Sequence, residues 1–90
     1  MTSVTKTFKY RVCQTQMARV TYVNGQWQGL QVPEVAGADT VFNSCPAVWE
    51  YLEAAGREGW ELVTAAEYAT SHGAEVSNIV NLLFLKKEIP

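Results

Sequence analysis

Ninety residues with a net charge of -2 leave room for one domain and one core, because a chain this short cannot bury enough surface for two. Apolar residues at 48% are in the globular range, but charged residues at 18% are few, so part of the surface is expected to lie under another subunit, a partner or a ligand. Seven Lys and Arg against nine Asp and Glu exert no long-range pull on phosphate backbones, which argues against nucleic acid.

The opening residues, Met1 to Lys6, hold no apolar stretch, so no secretory leader is expected and the chain is assigned to the cytoplasm. From Thr7 to Gln14 the sequence alternates, with Phe8, Tyr10 and Val12 on one side and Thr7, Lys9, Arg11 and Cys13 on the other, the pattern of a half-buried strand. Residues 17–32 form a predicted hairpin. Met17 to Val23 is rich in Val, Thr and Tyr, Asn24-Gly25 tolerates the positive φ angles of a tight turn, and Gln26 to Val32 resumes with Trp27, Leu30 and Val32. Residues 33–43, with Pro33, Gly37 and Asp39 and no period, read as a loop.

A helix is predicted over 46–58, with Ser44 as its cap, Pro46 in the first turn, Glu50 near the positive end and Gly59 as the left-handed residue that ends it. Val48, Trp49, Leu52 and Ala55 form its apolar stripe. Strands follow at 61–68 and 78–87, separated by a polar loop, Ala69 to Ser77, that carries His72. In 61–68, Leu62, Thr64, Ala66 and Tyr68 share a face. In 78–87 both faces are apolar, with Val80, Leu82 and Phe84 on one and Ile79, Leu83 and Leu85 on the other. The run from Ile79 to Leu85 is far too short to cross a membrane. Together these elements predict an α+β domain spanning 1–90, an antiparallel sheet of four to five strands with one α-helix packed on one face. The helix is expected over Val80, Leu82 and Phe84, which leaves Ile79, Leu83 and Leu85 to be covered by a second copy or by the 17–32 hairpin.

No catalytic constellation is visible. Cys13 and Cys45 are too few for a disulfide framework and are read as reduced thiols. Cys45, at the helix start, has the position of an activated thiol but lacks a second Cys at C-x-x-C spacing, and the sole His is in another loop. Cys13, Cys45 and His72 have no paired spacing for zinc, the carboxylates are scattered, and neither a phosphate-binding glycine loop nor a nucleophile elbow occurs. No enzyme activity, metal or cofactor is expected. What remains is a binding surface, with Arg19, Tyr22 and Trp27 on the hairpin and Lys9 and Arg11 on the first strand. Arginine beside aromatic rings suits protein hot spots and equally suits stacking on a nucleotide-like ligand, while Tyr22 and Trp27 could instead fill the core.

The segment Leu52 to Val63, read as L-x-x-x-G-x-E-G-W-E-L-V, resembles the hallmark of a family of short bacterial and phage domains, the domain of unknown function 4177. Phe8-Lys9-Tyr10-Arg11-Val12 and Leu83-Phe84-Leu85-Lys86-Lys87 resemble its opening and closing strands, and the likeness covers about half of the chain. The stretch from Met17 to Asn43 departs from the family pattern as an insertion. The resemblance implies a fold and lends no active site. From the residues themselves, Trp60 is expected to anchor the end of the helix to the sheet.

The leading expectation is a non-catalytic binding module, a homo-oligomer joined through Ile79, Leu83 and Leu85, that binds a partner protein. The alternative is a binder that sequesters or senses a small anionic, nucleotide-like ligand at a subunit junction, with Arg11, Arg19 and Trp27 as contacts.

Overall fold

Aromatic and β-branched residues recur through the first part of the chain and form two antiparallel strands, β1 (Thr7–Gln16) and β2 (Arg19–Val23). The computed structural model describes the backbone of residues 5–30, 38–72 and 75–90, and the side chains of all of these but 38–40 and 68–79. Met17 and Ala18 join β1 to β2 with φ angles of 53° and 60°, so the predicted hairpin begins with a turn where a strand was expected. The Asn24-Gly25 turn is where the sequence places it, with φ of 49° and 82°. Asn24 also ties the turn to β1, because its Oδ1 accepts from the Val12 N–H and its own N–H donates to Val12 O, both at 2.8 Å. The strand that follows, β3 (Gln26–Trp27), is only two residues long. Residues 31 and 32 of the predicted hairpin lie outside the described residues.

Within the stretch read as a loop, α1 (Ala38–Asn43) is a short helix. Ser44 Oγ donates to Val41 O at 2.6 Å, so Ser44 finishes α1 and does not cap the next helix. That helix, α2 (Val48–Arg57), starts two residues later than predicted because Pro46 and Ala47 pair with the outer edge of β2. Val20 N–H donates to Pro46 O at 2.9 Å, and the leading N–H of α2, that of Val48, donates to Ala18 O at 3.0 Å. The second bond satisfies the first N–H of a helix start that no side chain caps, and the first ties the entering chain to β2. At the other end Gly59 has φ of 94°, Gly59 N–H donates to Gly56 O and Trp60 N–H to Ala55 O, the paired bonds of a Schellman cap.

Two long strands complete the chain, β4 (Glu61–His72) and β5 (Glu75–Ile89). They run through the predicted 69–77 loop, with Ser71 opposite Val76 and His72 opposite Glu75. The five strands make one antiparallel sheet in the order β3-β2-β1-β5-β4, and with α2 laid on it the chain has the expected α+β class. β1 pairs with β5 only as far as Thr15 opposite Asn81, beyond which β4 and β5 continue as a two-stranded ribbon. The Cα radius of gyration, 15.9 Å, reflects this extension. A compact chain of this length would have about 12 Å.

The helix lies on the face opposite to the one expected. Cys13, Val20, Ala55, Leu83 and Leu85 form the buried core, with Val48, Tyr51, Leu52 and Trp60 packed against it. Leu85 is 1% exposed and Leu83 8%, so both are interior residues of one chain and are not the oligomer contacts the sequence pointed to. Ile79, the third of that set, has a side chain outside the described residues. The physical reason is size. Cys13, fully buried opposite Leu83, leaves room for α2 on that face, whereas β1 and β5 carry Phe8, Tyr10 and Phe84 on the other. The stripe of α2 is accordingly Val48, Tyr51, Leu52 and Ala55, and Trp49 points outward at 63% exposure. A bulge between Leu62 and Thr64 also divides the face predicted for β4, since Leu62 sits opposite Leu85 and Thr64 opposite Phe84.

Candidate functional site

The four residues expected to bind a ligand or partner fall into three separate groups, Arg11, Arg19, and Tyr22 with Trp27. Arg11 is on the α2 side of β1, two residues from Cys13. Its guanidinium carbon lies 4.1 Å from the centre of a Trp60 ring and its Nη1 donates to Tyr51 Oη at 2.8 Å. Burial pushes the Cys13 thiol up, against a hydrogen bond from Tyr51 and the charge of Arg11. Burial likewise pushes the Tyr51 hydroxyl up to about 12, helped by Cys13 and opposed by Arg11. Arg11 therefore completes an internal chain of contacts among Trp60, Tyr51 and Cys13.

Arg19 Nη1 donates to Cys45 O at 3.0 Å. Cys45 is 2% exposed and burial pushes its thiol up, against the Arg19 charge and a Ser44 hydrogen bond, which disfavours a nucleophilic thiolate. Tyr22 and Trp27 meet edge to face across the β2–β3 turn with ring centres 5.3 Å apart, and Phe42 of α1 approaches Trp27 at 6.4 Å. The fold thus brings Tyr22 and Trp27 together and gives each arginine a partner of its own.

Three other features carry recognition potential. The first is the sheet face away from α2. The ladder places Phe8, Tyr10 and Val12 there beside Lys86, Phe84 and Leu82, with Tyr10 67% exposed and Lys86 Nζ 4.8 Å from the Phe8 ring centre. The second is a concavity of about 350 Å³ on the α2 side, walled by Met17, Ala18, Val48, Ala65, Asn81 and Leu83. The third is the outer edge of β4, whose residues 61–67 are all exposed. The alternation of Phe8, Tyr10 and Val12 was readable in the sequence, but the side that α2 would take was not. The concavity depends on the Met17–Ala18 turn, which has no sequence signature.

Among the described residues no group of three or more His, Cys, Asp or Glu is placed to hold a metal ion, and no helix is long and apolar enough to cross a membrane. The His72 side chain lies outside the described residues. Comparison with known proteins finds no matching family model, no matching curated protein and no matching solved structure.

Proposed function

We propose that this chain is a non-catalytic binding module that self-associates through the sheet face opposite α2 and binds a partner protein. The observation that supports it is the set Phe8, Tyr10, Val12, Leu82 and Phe84, an apolar strip on which Tyr10 is 67% exposed. Contiguous apolar surface of this kind marks interaction sites. Lys86 and Glu88, opposite Tyr10 and Phe8 in the ladder, put one charge of each sign at the end of the strip, a pattern that can complement itself about a two-fold axis. The anionic-ligand alternative has less behind it, because Arg11 is applied to Tyr51 and Trp60, and Arg19 to the Cys45 carbonyl. Kinship with the domain of unknown function 4177 belongs to the same proposal and is supported by the Leu52 to Val63 segment.

Light scattering at tens of micromolar tests the self-association. The wild-type chain is expected at the mass of a dimer, and Tyr10→Glu combined with Val12→Lys is expected to give a monomer with an unchanged circular-dichroism spectrum. A monomeric wild-type mass overturns the reading.

A further inference from the structure

We propose that the open edge of β4 is a docking site for an extended, basic segment of a partner protein, which adds a sixth strand to the sheet and places an apolar side chain in the concavity beside Ala65. The proposal rests on the partner-binding reading and names the form that the partner takes.

The two edges of the sheet are treated differently. On the far side β2 is occupied, with Val20 N–H on Pro46 O, Gln28 N–H on Thr21 O, and Tyr22 and Val23 paired with β3, while residues 7–11 of β1 and 75–80 of β5 have no neighbouring strand there among the described residues and do not line the concavity. On the β4 side, among the described residues, nothing pairs with the outer edge, although this strand is 12 residues long. An unpaired strand edge presents a row of N–H and C=O groups that an extended chain can complete. In strand addition the main-chain bonds supply affinity, and pockets for alternate side chains supply selectivity. Ala65 meets that second requirement, because it belongs to the edge strand and also walls the concavity with Leu83, Val48 and Met17.

Charge identifies the segment. The β4 sequence holds no Lys or Arg, and of its two glutamates Glu61 lies opposite Lys86 of β5 while Glu67 lies opposite the uncharged Asn81. Glu67 is exposed, and it shares a face with Ala65 because the two pair with Asn81 and Leu83 of β5. An incoming strand with an apolar residue opposite Ala65 and a Lys or Arg two positions away would meet both. A second copy fits less well. After the bulge near Leu62, the regular stretch of β4 runs from Thr64 to Thr70 and is centred on Glu67. A two-fold axis through that centre would set Glu67 against its own symmetry mate, and like charges directly opposite are destabilising.

The test titrates the full chain with a short end-capped peptide in which threonine alternates with lysine and leucine, followed by backbone amide chemical shifts. Shifts are expected at 64–68 and at Val48 and Leu83. Affinity should fall about tenfold when the peptide lysines become glutamate or when Glu67→Lys is introduced. Ala65→Phe, at an exposed position, should abolish any advantage of leucine over threonine in the peptide. Equal affinity for the acidic peptide, shifts centred on Tyr10 and Val12, or no shift at millimolar peptide would each overturn the proposal. Shifts at β4 that follow protein concentration alone would assign the edge to a second copy and overturn it as well. A monomer in light scattering removes the self-association and leaves this test standing.

Discussion

Gly59 shows how a single residue sets the join between helix and sheet. A Cβ added there would meet the Lys87 side chain at 3.4 Å, an ordinary contact, so the penalty of Gly59→Ala comes from the left-handed backbone alone. Denaturant unfolding should show a loss of about 1 kcal/mol or more. An unchanged midpoint would contradict the cap. Leu85→Ala, which empties the core under α2, should lower stability by about 2–5 kcal/mol in the same assay. The Tyr51–Cys13 pair predicts a pH dependence of definite sign. Both groups hold their protons more tightly when folded than their ordinary values of 10.0 and 9.0 allow. The unfolded chain therefore releases protons first, and stability should be flat below about pH 9 and fall as pH rises toward 12. Thermal melts across that range check it, and Tyr51→Phe should flatten the upper part of the decline. Gly59 was legible in the sequence because few residue types accept its conformation. The partners of Arg11 were not, because Tyr51 lies 40 positions away and only the fold brings it near.

At the scale of elements, Met17 and Ala18 carry the positive φ angles that favour Asn and Gly. Nothing in their chemistry marks a turn, so the sequence reads on as strand. The turn holds because tertiary bonds fix it, the Val48 N–H donating to Ala18 O and β1 and β2 pairing on either side. Ala18→Gly should relieve the strain and stabilise the protein by about 1 kcal/mol. At roughly 4–8 °C per kcal/mol for a domain of this size, calorimetry can resolve it. The Asn24-Gly25 turn was readable because there the residue types and the geometry agree. The helix stripe was readable in spacing, with Val48, Leu52 and Ala55 correct. Trp49 has the spacing of the stripe and yet faces outward, because hydrophobicity alone cannot distinguish the core side from a position one residue round the helix. The polar residues at the ends of β4 and β5 resemble a loop in sequence, although strand pairing continues through them.

For the whole molecule, alternation in the strands reveals that a sheet has two faces without saying which one the helix will cover. β5 is apolar on both sides, and the room that Cys13 leaves opposite Leu83 is a property of the assembled ladder. One consequence follows for Leu85→Lys. It should unfold the chain, read as loss of the cooperative melt, because Leu85 is 1% exposed beneath α2. The unequal edges carry a further consequence for the limits of assembly. Growth of a sheet from molecule to molecule needs a donor edge and an acceptor edge on every copy. Here one side ends in β3, two residues long, with Pro46 and Ala47 closing the rest of β2. Among the described residues, the stretches on that side without a neighbouring strand are residues 7–11 of β1 and 75–80 of β5, so growth of the sheet from copy to copy has to pass through those stretches and not through β2.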